Sequence, residues 1–358
     1  MKRYDFTYWS SPVAGQTLEN LSPGTLFDKY FSWTPGLGWT PHDYGTATMQ
    51  SGKGYIVRAP QAFSVTTASN FTGVFTGAPH NGEIIVPGFQ GSSSTNVWNL
   101  IGNPYPSAID VNLFLTDPDN SEAGGTVYLW THNTPALDGG SGIYTYTSND
   151  YTSYNLSGGV ATALQAPSTI DPEDNGNVLA NGHIASGQSF FIRGVKNYED
   201  SEPGNIPIKV KFKNSMRITG ANTNFFRPGT TIPVEDWQTN GKHRLWLNLR
   251  NDEGAFGQIL VGYIENATDG MDRLYDGMLF GGNYVSFYSL LDQNKLAIQG
   301  RALPFNDQDI VPLGYKTTIA GSFHISIDHF DGLFEGQDVF LKDKLVNEEG
   351  KEVMLDEP

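Results

Sequence analysis

Residues 51–58 read SGKGYIVR, and residues 186–193 read SGQSFFIR. Each copy is a Ser-Gly turn that runs into an apolar strand and ends in Arg. The echo continues upstream in the same order. Trp9-Ser10-Ser11-Pro12 answers Ile101-Gly102-Asn103-Pro104, and Tyr30-Phe31-Ser32-Trp33 answers Val127-Tyr128-Leu129-Trp130. Three ordered matches predict an internal duplication of units of roughly 90 residues, the second carrying an insertion. The shared residues are Gly, Pro, aromatic and aliphatic. They are scaffold types, so the repeat speaks for architecture and against shared catalysis.

Composition narrows the class. The 358 residues are enough for two or three domains, each with its own core. Hydrophobic residues at 38%, aromatics at 13% and charged residues at 17% describe a folded chain. The 41 glycines and 20 prolines separate short runs of Val, Ile, Tyr, Phe and Thr, which are strand and turn signals. No long run carries apolar residues at helical spacing. The fold class expected is all-β, with tandem sandwich or jelly-roll-like domains. A net charge of −16 repels phosphate backbones and anionic lipid, so nucleic acid is not an expected partner. Without cysteine there is no disulfide, thiolate catalysis or Cys-bound zinc. No apolar stretch reaches the 18 or so residues a membrane span needs. The start, MKRYDFTYWSSP, does not read as a signal peptide, so an exported protein would carry this chain as an interior or processed part.

Three regions are expected. Residues 1–95 form the first unit, with strands at Asp5–Trp9, Tyr30–Trp33, Gly54–Ala59 and Phe71–Thr76. Residues 96–225 form the second, with a Ser-, Asn- and Gly-rich loop insertion near 145–180. Residues 226–358 hold seven short strands, from His243–Leu249 to Val339–Lys342, which predicts a β-sandwich lacking its last strand or strands. Such a sandwich would have an open edge that pairs readily with another chain.

Further stretches carry a family resemblance. These are Leu296-Ala297-Ile298-Gln299-Gly300-Arg301-Ala302-Leu303-Pro304-Phe305, Ile327-Asp328-His329-Phe330-Asp331-Gly332-Leu333-Phe334, Arg244-Leu245-Trp246-Leu247-Asn248-Leu249 and Asn99-Leu100-Ile101-Gly102-Asn103-Pro104-Tyr105-Pro106. Together they resemble the C-terminal region of large surface proteins exported by the type IX secretion system of Bacteroidetes, the part before the sorting domain. The resemblance implies an extracellular, cell-surface location and contact with the secretion machinery during export.

No metalloprotease, phosphate-loop or nucleophile-elbow motif occurs. Asp328, flanked by His324 and His329, is read as a turn-capping carboxylate with surface histidines. Three acidic clusters have the hard-oxygen chemistry of calcium sites: Asp269, Asp272 and Asp276; Asp117 and Asp119; and Asp171 and Asp174. Asp and Asn also fill ordinary turns. No cofactor is required, and calcium is the ion these clusters would take. Seven Trp and 17 Tyr invite an aromatic binding surface, since sugars stack on exposed rings. Trp33, Trp39, Trp130 and Tyr144 are read as matching places in the two units. Tyr144, Tyr146, Tyr151 and Tyr154 in the insertion, with Trp39, form the expected exposed ligand surface. The expected function is a non-catalytic surface adhesin or structural module that binds a glycan, a surface or copies of itself. The alternatives are a carbohydrate-binding accessory region of a secreted hydrolase and a filament subunit assembled by strand exchange.

Overall fold

A computed structural model describes residues 1–90, 97–132, 134, 136–138, 140, 144–162, 180–195, 206–220, 222, 241–252, 254–281, 284–343 and 351–354. It is mostly strand, 43% against 9% helix, and includes a curled half-barrel. The first sheet holds β1 (Phe6–Trp9), β2 (Tyr30–Thr34), β3 (Gly38–Pro41) and β4 (Tyr55–Arg58), in the order β1-β4-β2-β3. After β5 (Ile84–Gln90) come β6 (Trp98–Gly102), β7 (Ile109–Asp110), β8 (Val127–Trp130), β9 (Leu137–Asp138) and β10 (Tyr144–Thr145). Then follow β11 (Tyr151–Asn155), β12 (Gly158–Val160), β13 (His183–Ile184), β14 (Ser189–Arg193) and β15 (Ile206–Phe212). The second sheet runs β6-β14-β8-β11-β12.

The two sheets repeat one topology. β6 stands where β1 stands, β14 where β4 does, β8 for β2 and β11 for β3. Register agrees residue by residue. Phe6 faces Arg58 as Trp98 faces Arg193, and Phe31 faces Ile56 as Tyr128 faces Phe191. Trp33 faces Trp39 as Trp130 faces Tyr151. A short helix follows the first strand in both units. Thr17 caps α1 (Leu18–Leu21) by accepting the Asn20 N–H, and Asp110 caps α2 (Val111–Thr116) by accepting the Leu113 N–H. Leu18 and Leu21 pack with Trp9, Tyr30, Tyr55 and Val57; Val111, Phe114 and Leu115 pack with their counterparts Ile101, Val127, Phe190 and Ile192.

The opposite faces of the two sheets share one aromatic core: Tyr8, Ile56, Leu100, Tyr128 and Phe191, ringed by Phe6, Phe31, Trp33, Trp98, Trp130 and Tyr151. The joints across it are reciprocal. Trp33 donates its indole N–H to the Trp98 carbonyl at 2.8 Å, and Trp130 donates to the Phe6 carbonyl at 3.1 Å. Ser10 N donates to the Gly187 carbonyl, and Gly102 N to that of Gly52. The bridges Trp9–Gln188 and Ile101–Lys53 complete the exchange. The units are thus related by a pseudo-two-fold arrangement, not strung in line.

Three expectations change. Phe71–Thr76 has no strand. Residues 145–160 are not an inserted loop, for they supply β11, the counterpart of β3, and β12. Residues 163–179, including Asp171 and Asp174, lie outside the described residues. β5 pairs along its length with β15, so the end of the first unit covers the core of the second, where Val86 meets Ile208, Val210 and Phe212.

The C-terminal strands are β16 (Lys242–Arg250), β17 (Phe256–Ile264), β18 (Gly277–Met278), β19 (Val285–Leu291), β20 (Asn294–Arg301), β21 (Leu313–Thr317) and β22 (His324–Phe330). They form one sheet, β21-β19-β20-β17-β16-β22, with β18 also on β20, rather than two packed sheets. β17 and β20 are parallel. β23 (Phe340–Asp343) and β24 (Lys351–Met354) make a separate hairpin. One face buries Leu245, Leu247, Ile259, Val261 and Phe287. The other places Trp246, Leu260 and Ile298 against Val160 of β12, so the second unit supplies the missing layer. Among the described residues, β21 and β22 each pair on one side only.

Gly52 and Gly187 occupy the two Ser-Gly turns with φ of +74° and +70°. L-residues are disfavoured there by roughly 1–2 kcal/mol. A Cβ on Gly52 would lie 2.3 Å from Val86 Cγ2, whereas one on Gly15, at φ +78°, would meet nothing within 4 Å. Gly15→Ala is therefore expected to cost about 1 kcal/mol in urea unfolding, and Gly52→Ala about 2–4 kcal/mol once overpacking is added. Equal costs would show that the turn does not sit tightly on β5.

Candidate functional site

The aromatic core is open at one end. There a cleft of about 350 Å³ is lined by Phe6, Tyr8, Phe31, Trp39, Ile56, Trp130, Tyr146, Thr147, Ser148 and Tyr151. Strand geometry assembles it. Phe6 and Tyr8 share a face of β1, and antiparallel pairing sets them beside Ile56 of β4, which sets Phe31 of β2 beside it in turn. Gly38, at φ +87°, closes the turn that folds β3 back so that Trp39 meets Trp33 edge-on at 5.0 Å. Trp130 and Tyr151 cross from the second sheet, and Trp130 lies 5.9 Å from Tyr8, nearly parallel. Tyr146 closes the rim edge-on to Phe6 at 5.4 Å.

Most of the cleft's polar atoms are engaged within the protein. The Tyr8 and Tyr151 hydroxyls hydrogen-bond each other, and burial pushes both phenols well above their ordinary pKa. Tyr146 donates its hydroxyl to the Tyr4 carbonyl at 2.9 Å. Thr147 Oγ1 accepts the Asn149 N–H and donates to Asn149 Oδ1. His132 stands behind Trp130 and Tyr146, with Nε2 2.9 Å from Asp5 Oδ1. Burial would raise the Asp5 carboxyl, but the hydrogen bond and charge of His132 outweigh it and hold it below the ordinary value. The lining is neutral, apolar and rich in π-faces. It offers ring contacts and very little hydrogen bonding.

Of the five aromatics singled out in the sequence, the structure brings together Trp39, Tyr146 and Tyr151. Tyr144 lies outside the lining, stacked on Tyr4 at 3.8 Å. Tyr154 points elsewhere, with its hydroxyl 3.3 Å from Asn112 Oδ1 beside α2. All four tyrosines are partly buried, so they do not form the expected exposed run. Trp39 is 39% exposed. Its counterpart is Tyr151, not Tyr144. Phe6, Tyr8, Phe31 and Ile56 went unremarked because β1 and β4 are apolar on both faces, so alternation does not mark the side that lines a cavity.

Two of the three acidic clusters lie in the described residues, and their carboxylates are engaged within the fold. Asp117 accepts Lys213 Nζ at 2.8 Å, and Asp119 accepts Lys213 at 2.8 Å and Lys211 at 3.2 Å. Hydrogen bonds from Lys213 and Lys211 hold the Asp119 carboxyl below its ordinary pKa. Asp272 accepts the Thr268 N–H, and Asp269 accepts the Ala302 N–H at 3.3 Å. Asp276 accepts Asp272 N at 2.6 Å and Gly300 N at 2.9 Å. Among the described residues no group of three or more His, Asp or Glu is arranged to hold a metal ion. Asp328 is not a turn cap. It sits in β22 and accepts Asn248 Nδ2 at 2.7 Å, Asn248 accepts Gln258 Nε2 at 2.8 Å, and Gln258 accepts Ala161 N at 2.7 Å.

The family model described as Domain of unknown function (DUF8693) matches residues 1–350. No curated protein and no solved structure matches the chain.

Two outcomes follow from these hydrogen bonds. Tyr8→Phe leaves the Tyr151 hydroxyl buried and unpaired, at a cost of about 1–2 kcal/mol, whereas Tyr8→Phe with Tyr151→Phe removes both partners and should lie nearer the wild type. A double variant as unstable as the sum of the singles would break this account. Burial raises the Asp276 carboxyl to about 6, against the two N–H donors that pull it down. Protons therefore bind the folded state better between roughly pH 4 and 6, and stability from this group falls as pH rises through that window. Relative to Asp276→Asn, the wild type should gain up to about 3 kcal/mol between pH 7 and pH 4 in parallel urea titrations. A pH-independent difference would contradict it.

Proposed function

The chain belongs to the DUF8693 family, and we propose that it is a non-catalytic binding protein of the cell surface that takes its ligand in the aromatic cleft between its duplicated units. The observation that carries this reading is the cleft itself. Ten residues from both units surround about 350 Å³. Its phenols stay neutral at physiological pH, and no carboxylate, His or Lys is among the residues that line it, so its Ser, Thr and Tyr hydroxyls have no general base beside them in the lining. What it supplies is a rigid, ring-lined recess held by sheets on both sides. The extracellular, adhesin-like role and export by the type IX route rest on the sequence resemblance.

The half-exposed Trp39 at the rim favours one rival, a glycan-binding region whose sugars stack on that ring. Both versions place the ligand on the same residues. The check is a screen of immobilised glycans and peptides with wild-type protein and Trp39→Ala. At least one ligand class should be retained by the wild type and bound at least tenfold more weakly by the variant, with the melting temperature changed by only a few degrees. A screen in which the two proteins never differ would remove the cleft as the binding site.

A further inference from the structure

The pseudo-two-fold arrangement gives the cleft a mate, and the mate is occupied. Phe280, from the segment just after β18, enters the second unit. Its ring lies 4.3 Å from Trp98, 5.1 Å from Tyr128, 4.5 Å from Tyr151 and 5.5 Å from Phe191. By strand register the counterparts of those four residues are Phe6, Phe31, Trp39 and Ile56. All four line the open cleft. The first unit therefore repeats the walls of a phenylalanine site without a phenylalanine in it.

Resting on the cleft being the binding site, we infer that its ligand is a benzyl side chain presented by a peptide segment of a partner, seated as Phe280 is seated in the mate. Phe280 arrives on the segment that follows β18, which pairs with β20, and its ring enters edge-on to Trp98 and Tyr151 and tilted to Tyr128 and Phe191. Such edge-to-face contacts favour a flat aromatic ring over an aliphatic side chain of similar size. One difference is informative. Tyr128 also donates its hydroxyl to the Met278 carbonyl at 2.9 Å and so grips the backbone that carries Phe280. Phe31 stands in that place and has no hydroxyl. The open site thus reads the ring and leaves the backbone around it unread at that point, which suits an incoming segment better than a built-in one.

The probes are a capped Gly-Gly-Phe-Gly-Gly peptide, the same peptide with Leu in place of Phe, toluene, and cellohexaose. Each is titrated into the whole chain and followed by tryptophan fluorescence and by NMR shifts of the Tyr146 and Trp130 rings. The expected result is one Phe peptide per chain with shifts at those rings, and binding at least tenfold weaker for the Leu peptide. In Phe280→Ala, which empties the mate, the expected stoichiometry is two; one peptide per folded variant chain would overturn the equivalence of the sites. Should that variant fail to fold, the wild-type arms decide. Toluene binding without the peptide would overturn the peptide source. Cellohexaose shifting the same rings while the Phe peptide does not would overturn the inference and leave the binding reading standing. No probe shifting these rings would overturn both.

Discussion

Two indole N–H groups hold this molecule's first two-thirds together. Trp33 reaches across to the Trp98 carbonyl and Trp130 reaches back to that of Phe6. Each hydrogen bond satisfies a polar atom inside an aromatic core where an unpaired N–H would cost about 1–3 kcal/mol. Because the exchange is reciprocal, neither sheet can rotate against the other without breaking both. The cleft exists on those terms. Its walls come from both sheets, and the indoles fix the distance between them. The same constraint explains why the aromatic residues are so many. Equivalent positions of two similar sheets meet around one axis, so each large ring in one unit needs a complementary ring from the other.

The C-terminal sheet is fastened by a different means. Trp246 donates its indole N–H to Gly159 at 2.8 Å, and the Asp328–Asn248–Gln258 chain ends on the Ala161 N–H. Arg244, almost wholly buried, bonds Asp331 at 2.5 Å and donates to the Ser157 carbonyl. Every one of these bonds to the second unit lands on the backbone of β12 or its flanks. An edge strand with free backbone groups is capped by side chains of the next sheet, which also prevents that edge from pairing elsewhere. Phe280 comes with this sheet, so the docking that covers the edge also fills the second aromatic site.

The duplication was legible because its markers are local. A Ser-Gly turn with positive φ and a Pro after a strand leave the same letters wherever they occur. The C-terminal strands were legible through alternation and turn spacing. Their gathering into one sheet was not, since pairing order depends on partners far along the chain. The cleft was half legible. Trp39, Tyr146 and Tyr151 stood out as aromatics, but the match of Trp39 to Tyr151 was hidden by connection length: a tight turn joins β2 to β3, while residues 131–150 intervene between β8 and β11. The lysine partners of Asp117 and Asp119 were not legible for a similar reason. The lysines that neutralise Asp117 and Asp119 lie more than ninety residues away, Lys211 on β15 and Lys213 just after it.

The pairing of β5 with β15 has a kinetic meaning. These strands are joined along seven residues, and partners such as Val86 and Val210 are more than a hundred residues apart in the chain. Loop closure over such a distance must precede any gain from the ladder. The first unit, although it emerges first, does not bury Gly52 and the tail of its own repeat until the last strand of the second has arrived. The two units therefore mature together, and a chain halted between them would expose the apolar side of β5 as an unpaired edge.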